Sequence, residues 1–133
     1  MRIDCMKMTQ FPVMIIVVNA DLKLTKGQIA SQTAHIVHHM VEKNVRSAYE
    51  TYPVPLSYKT YLKWCDNPIV IVKCATTVQL NQLSTCPLCH SFYDDVFIKQ
   101  TKQKSHHLTV VGFSPGVNLQ TEIDDLIKNL KLL

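Results

Sequence analysis

The feature that most constrains the fold is a short apolar segment followed by a turn signal and a long amphipathic pattern. Pro12–Val18 is rich in β-branched residues and apolar at consecutive positions, which is typical of a strand covered on both faces. Residues 19–21 indicate a turn. From Lys26 to about Val45, apolar positions recur at intervals of three and four residues, which predicts a long helix with Thr25 as its N-cap. A buried strand followed by such a helix favours an α/β fold.

The rest of the chain continues this alternation of strand-like and helix-like patterns. Further strands are predicted at Ile69–Val72, Val96–Ile98 and Leu108–Phe113, and further helices at Tyr58–Trp64, from Thr77 to near Pro87, and at Asn118–Leu130. The polar stretch Lys99–His107 is predicted to be a loop between two antiparallel strands. The predicted fold class is α/β: a single three-layer domain with a small, mixed, four-stranded sheet and helices on both faces.

The length and composition limit the chain to one folded domain. Its 133 residues leave no room for two sizeable cores. They are 47% hydrophobic and 18% charged without a low-complexity tract, which excludes an intrinsically disordered chain. We expect residues 1–10 and Tyr52–Pro55 to be flexible, and residues 11–133 to form the domain.

No segment has the pattern of a membrane or export signal. The longest apolar run, Val13–Val18, is far shorter than the roughly 20 residues of a membrane-spanning helix. The first residues lack the apolar stretch of a signal peptide. We therefore expect no membrane contact and a cytoplasmic location.

The charge of the chain is moderately basic. Fourteen Lys and Arg against ten Asp and Glu give a net charge of +4. This excess is compatible with a nucleic-acid partner, but it is far below the dense basic blocks of a histone-like protein.

The five cysteines include a closely spaced pair. Cys86 and Cys89, followed by His90, match the C-x-x-C-H pattern of haem attachment and the C-x-x-C pattern of thiol-redox or zinc sites. Haem attachment needs an exported chain, and a zinc site usually needs four ligands. An odd number of cysteines without an export signal favours free thiols. A thiol or metal protein centred on this pair is the weakest of the functional alternatives.

Polar side chains recur on one side of the long helix. Gln28, Gln32, His35 and His39 are separated by four, three and four residues, so they share one helix face. Such a stripe is either the solvated side of an amphipathic helix or one wall of a site. Amide and imidazole groups are suited to a site that stabilises an oxyanion or moves a proton.

The segment that follows the first strand carries a family resemblance. Residues 19–35 read NADLKLTKGQIASQTAH. They are similar to the type 2 peptidyl-tRNA hydrolases of archaea and eukaryotes, in which Asp-Leu-Lys, Lys-Gly-Lys and Ala-x-Gln-x-x-His follow the first strand. Further matching blocks are Trp64, Ile69–Lys73, Thr109–Gly112 with Pro115, and Leu130–Leu133. The resemblance covers most of residues 13–133.

The resemblance implies hydrolysis of the ester between a peptide and the terminal ribose of tRNA. The implied partner is the acceptor end of peptidyl-tRNA, and no metal or organic cofactor is implied. Members of this family often associate as dimers, so the resemblance is compatible with a homodimer, but the sequence does not define the oligomeric state. Such a site needs an oxyanion donor, a group that positions or deprotonates water, and contacts to ribose and phosphate.

By this resemblance, the candidate site combines the start of the long helix with the lysine-rich segment before the final strand. The catalytic candidates are Lys26, Gln28, Thr101 and Asp95, with Asp94 as the alternative carboxylate. The substrate-binding candidates are Asp21, Gln32, His35, Lys99 and Lys102. No metal ligands are predicted.

The sequence departs from the family pattern at two positions that bear on catalysis. Gln28 stands where the family has the second Lys of Lys-Gly-Lys, and the family's Asp aligns with Phe97 or Lys99. A general base contributes roughly 10²- to 10⁴-fold and one oxyanion donor about 10²- to 10³-fold. The sequence therefore predicts impaired hydrolysis, and the alternative is a non-catalytic RNA- or protein-binding descendant of the family.

Overall fold

The computed structural model describes residues 12–50 and 56–133, which form one sheet flanked by helices. The strands are β1 (Val13–Asn19), β2 (Ile69–Ala75), β3 (His90–Ile98), β4 (Gln103–Phe113) and β5 (Lys131–Leu132). The helices are α1 (Lys26–Glu50), α2 (Leu56–Asp66), α3 (Thr77–Ser84) and α4 (Thr121–Asn129). Residues 1–10 and Tyr52–Pro55, which are expected to be flexible, lie outside the described residues.

The sheet is mixed, and its strand order is β3-β4-β1-β2-β5. β1 and β2 are parallel, whereas the pairs β1–β4, β3–β4 and β2–β5 are antiparallel. The predicted α/β class and mixed sheet are confirmed, but the predicted number of four strands is wrong. The fifth strand, β5, has only two residues, which is too short to produce a periodic pattern in the sequence.

Helices cover both faces of the sheet, which gives the predicted three layers. On one face, β1 packs against α1 and α2 through the core of Met14, Ile16, Val18, Ile36, Met40, Tyr61, Trp64 and Val110. On the other face, β1, β2 and β4 pack against α3 and α4 around Val17, Leu80, Leu83, Val111, Phe113, Ile123 and Ile127. The double coverage explains why β1 is apolar at consecutive positions.

β3 and β4 form a long hairpin whose tight turn spans residues 99–102, since Ile98 pairs with Gln103. The prediction of a loop over Lys99–His107 is wrong because Gln103–His107 belong to β4. This end of the hairpin lies at the sheet edge and carries many exposed polar side chains. Main-chain hydrogen bonds hold such a ribbon together without an apolar pattern, so the sequence carries little signal for a strand there.

α1 lies unusually close to β4 at one glycine. A Cβ atom on Gly112 would lie 2.6 Å from Cε of Met40, which is a steric clash. The absent side chain therefore lets the helix rest directly on the sheet. Among the described residues, no helix combines the length and hydropathy that crossing a bilayer requires.

Candidate active site

The first half of α1 faces the edge strand β3 through two glutamines. Nε2 of Gln28 donates to the carbonyl oxygen of Phe97 at 3.1 Å. Nε2 of Gln32, one helical turn later, donates to Oδ2 of Asp94 at 2.9 Å. Hydrogen bonds thus join the helix to the hairpin, and they come from side chains that helical spacing predicted to lie on one face of α1.

Two histidines continue this line of contacts. The ring of His35 stacks on Phe92, with 4.9 Å between centroids and 16° between planes. His39 meets His90 edge to face at 5.6 Å. All four polar residues of the predicted stripe therefore contact β3, which runs antiparallel to their order along α1.

Gln32, Asp94 and Thr109 form a hydrogen-bonded cluster, which we call the Gln32 cluster, in which Gln32 and Thr109 are buried and Asp94 is half-buried. Gln32 is only 3% exposed. Its Oε1 accepts from Oγ1 of Thr109 at 2.6 Å, while its NH₂ group donates to Asp94. An ionised carboxylate can only accept, so the amide has one permitted orientation. Both ends of a buried amide are thus satisfied, and the position of Asp94 is defined.

A β-bulge aims Thr109 at this cluster. Phe92 pairs with Val110 and Tyr93 pairs with Leu108, which leaves Thr109 as an extra residue in β4. The bulge lets two consecutive side chains point toward α1: Thr109 reaches Gln32, and Val110 joins the core beneath α1. Without the extra residue, strand alternation would turn one of them to the opposite face.

Asp94 is held in its ionised form. Its pKa is lowered chiefly by the hydrogen bond from Gln32, with further contributions from the backbone N–H of Asp95 and the nearby His35 and His106. Desolvation opposes this effect but does not outweigh it. Oδ1 accepts from the Asp95 amide at 2.8 Å. The site therefore offers a fixed negative charge beside an aromatic stack, which can orient or deprotonate a water molecule.

Gln28 takes part in the cap of α1 and in a contact with β3. Oε1 accepts from the Thr25 amide at 2.9 Å, and the Gln28 amide donates to Oγ1 of Thr25 at 3.2 Å, which together make a capping box. The remaining Nε2 donates to Phe97. Thr25 is thus the N-cap, as predicted, and these contacts leave one N–H of the Gln28 side-chain amide unused.

Lys26 lies on the other flank of α1. With Ala30, Ala34, Val37 and Leu133, it lines a shallow apolar groove of about 690 Å³ between α1 and the end of the chain. Two residues correspond to about 200° around a helix, so Lys26 points away from the face that carries Gln28. The structure does not bring Lys26 together with the Gln32 cluster.

Asp95 also points away from the cluster. Consecutive strand residues face opposite sides of a sheet, so Asp95 faces away from α1 when Asp94 faces toward it. Its Oδ1 lies 2.8 Å from Nδ1 of His106 on β4, and both side chains are well exposed. Of the two carboxylates considered, the structure places Asp94 at the site.

Asp21 is occupied at a different element. Its Oδ2 accepts from the backbone amide of Thr77 at 2.8 Å, at the start of α3. Its own amide donates to Oδ1 of Asn19 at 3.0 Å. These contacts fix the turn after β1 to α3 and leave Asp21 outside the Gln32 cluster.

The hairpin turn carries Lys99, Thr101 and Lys102, all exposed. Oγ1 of Thr101 donates to the carbonyl oxygen of Ile98 at 3.4 Å, and Lys102 adopts a left-handed φ of 55°. The turn follows Phe97, whose carbonyl binds Gln28. The lysine-bearing turn therefore lies beside the start of α1, so the two segments that were predicted to form the candidate site are adjacent.

Two residues of the site were not among the predicted site residues: Thr109 and Phe92. Thr109 is a fully buried hydroxyl in the apolar half of β4, Leu108–Phe113, and that isolated polar position was the available signal. Its direction depends on the bulge, which has no pattern in the sequence. Phe92 gave no signal, because an aromatic residue in a strand is ordinary core composition.

The cysteine pair does not form a reactive centre in this structure. Burial raises the pKa of the Cys89 thiol to about 11, which makes Cys89 a poor nucleophile, and Cys86 is buried away from solvent. In the part of the chain that is described, no three His, Cys, Asp or Glu side chains converge as metal ligands.

Comparison with known proteins gives a family match and a curated relative. The family model described as peptidyl-tRNA hydrolase PTH2 matches residues 12–133. The chain is also 33% identical over 124 residues to the mouse protein named "Peptidyl-tRNA hydrolase 2, mitochondrial". This match covers 90% of the chain but 62% of the mouse protein. The chain therefore belongs to the peptidyl-tRNA hydrolase PTH2 family.

Proposed function

We propose that the chain binds the acceptor end of peptidyl-tRNA and hydrolyses the ester between the peptide and the terminal ribose, at a reduced rate. The observation that carries this proposal is the Asp94 carboxylate, held by the buried amide of Gln32 at 2.9 Å. Family membership supports the reaction type. The rate and the roles of individual residues rest on the geometry of the site.

In this proposal Asp94 acts on the attacking water. The carboxylate accepts a proton as the water oxygen bonds to the ester carbonyl carbon, and that proton passes to the ribose oxygen when the ester C–O bond breaks. Gln32 and Thr109 are positioning residues because they touch Asp94 or each other and not the ester. The low pKa of Asp94 makes it a weak base but keeps it ionised.

The neighbouring residues are suited to hold the nucleotide end. The stacked rings of His35 and Phe92 present a flat surface beside Asp94, on which a base or ribose can stack. Lys99 and Lys102, on the exposed hairpin turn, supply positive charge for phosphates. Thr101 lies on the same turn, where its hydroxyl donates to the Ile98 carbonyl and can accept from a ribose hydroxyl.

The reduced rate follows from what the cluster lacks. Gln28 replaces the family's lysine, and its amide is already bonded to Thr25 and Phe97. Lys26 is directed to the opposite flank of α1 and does not supply the missing cation. The loss of one oxyanion donor costs about 10²- to 10³-fold in rate.

A second candidate is a non-catalytic RNA- or protein-binding function. The engagement of Gln28 favours it, because a neutral amide with only one N–H left beside its bond to Phe97 replaces the family's cation. A homodimer and a cytoplasmic location of this chain stay predictions. The name of the mouse relative places that protein in mitochondria.

Parallel measurements of binding and turnover test the proposal. Purified chain is mixed with peptidyl-tRNA labelled on the peptide, and both complex formation and peptide release are followed. We expect binding together with slow release that depends on protein concentration. Binding without release would favour the non-catalytic alternative, and the absence of both would refute the proposed function.

A further inference from the structure

A second polar cluster lies farther along the same line of contacts between α1 and β3. His39 meets His90 at 5.6 Å, and Nε2 of His90 lies 3.4 Å from Oγ of Ser114, just after β4. Nδ2 of Asn44 donates to the same Ser114 hydroxyl at 3.3 Å. Three elements thus bring two imidazoles, a hydroxyl and an amide together at a place that the proposed hydrolysis does not use.

The charge around these groups is positive. The ammonium of Lys43 is close enough to lower the pKa of both His39 and His90, although burial is the larger cause in each case. His38 also lowers the pKa of His39, while Glu42 raises it.

The nearest carboxylate, that of Glu42, is engaged with other groups. It pairs with Arg46, and its Oε2 lies 3.7 Å from Nε2 of His38. With Glu42 paired to Arg46, the ammonium of Lys43 leaves positive charge beside the two histidines for an anion.

We propose that His39, Lys43, His90 and Ser114 bind a backbone phosphate of the RNA strand that leads to the reactive ester. This inference rests on the proposed function, because it places the strand along the α1–β3 contact line. His39 follows Gln32 by seven residues, or about 10 Å along the helix axis. That distance corresponds to about three nucleotides of a stacked strand.

A phosphate at this position changes the protonation of the cluster. A nearby anionic phosphate oxygen favours the charged form of each imidazole and offsets the effects of burial and Lys43. Protonation and phosphate binding therefore reinforce each other, and RNA affinity rises as the pH falls through the histidine range. A rise of one pKa unit on binding corresponds to about tenfold in affinity per histidine.

The test uses the full chain and a short single-stranded RNA with a free 3′ end. Affinity is measured at about pH 6 and about pH 8, and the histidine ring signals are followed by NMR. The variants are His39→Gln and His90→Gln, with His38→Gln as the matched control, since His38 is exposed on the same helix. Lys43→Gln changes an exposed side chain and tests the subsite without disturbing packing.

We expect wild type and His38→Gln to bind more tightly at low pH, and His39→Gln and His90→Gln to lose most of that dependence. Lys43→Gln should reduce the slope of log affinity against log salt by about 0.7. If RNA binding perturbs the NMR signals of His35 but not those of His39 and His90, and if Lys43→Gln leaves the salt slope unchanged, the subsite is overturned. The proposed function would then still stand. No RNA binding by any readout would overturn both.

Discussion

The side-chain amide of Gln32 donates to the carboxylate of Asp94, with 2.9 Å between Nε2 and Oδ2. This bond joins the second turn of the long helix to the edge strand of the sheet, and it is the largest cause of the lowered pKa of Asp94. One hydrogen bond thus connects the packing of two elements with the charge state of the candidate site.

Replacement of the buried amide should destabilise the fold. Gln32→Leu removes the partners of Asp94 and Thr109, and we expect a decrease of about 1–3 kcal/mol in the free energy of unfolding. Urea denaturation measures this free energy of unfolding. Gln82→Leu, at an exposed position of α3, is the control and should change stability by less than about 0.5 kcal/mol. Equal effects of the two variants would contradict the structural role of Gln32.

The adjacent carboxylates Asp94 and Asp95 should differ in their contribution to hydrolysis. Asp94→Asn keeps the size of the side chain but removes the charge that acts on water, so peptide release should fall by roughly 10²- to 10⁴-fold. Asp95→Asn is the matched control, since Asp95 pairs with His106 away from α1. A larger decrease in Asp95→Asn than in Asp94→Asn would show that the wrong carboxylate has been assigned.

The stabilising effect of Asp94 should disappear in acid. Because its pKa is lowered in the folded state, the ionised carboxylate stabilises the fold above the unfolded value of about 3.9. That stabilisation is lost as the pH falls through the lowered pKa. Thermal unfolding at neutral and strongly acidic pH should therefore show a difference between wild type and Asp94→Asn only at neutral pH. A difference that persists unchanged in acid would contradict the ionised state of Asp94.

The lysines of the hairpin turn should contribute to RNA binding through their positive charge. Each lost phosphate contact to a single strand lowers the slope of log affinity against log salt by about 0.7. Lys99→Gln together with Lys102→Gln should therefore lower this slope by about 1.4. Lys59→Gln with Lys63→Gln, on the exposed side of α2, is the control of equal charge. If both double variants have the same slope in a salt titration, the turn does not bind phosphate.

The sequence predicted the layered α/β fold because strong patterns encode it. β1 is apolar at consecutive positions, and α1 has an apolar stripe with a capping residue at its start, so both elements were visible. The first half of β4, Gln103–His107, was not, since its exposed polar residues are ordered by main-chain pairing and not by burial. β5 was missed because two residues carry no period.

The candidate site was predictable only on the side that α1 provides. Helical spacing put Gln28, Gln32 and His35 on one face, and the structure places all three against β3. Which of Asp94 and Asp95 faces α1 depends on the face of β3 that each side chain occupies. Whether the side chain of Thr109 faces α1 depends on a bulge in β4. These features arise from pairing between distant segments, which the local pattern of one segment does not contain.

The central claim is that the Gln32 cluster cleaves the ester slowly because position 28 lacks a cation. Single-turnover hydrolysis of labelled peptidyl-tRNA by wild type, Gln28→Lys and Lys26→Gln tests it most directly. We predict slow release by wild type, an increase of roughly 10²-fold in Gln28→Lys, and no change in Lys26→Gln. No release by wild type together with no gain in Gln28→Lys would contradict the account, as would a decrease in the activity of Lys26→Gln.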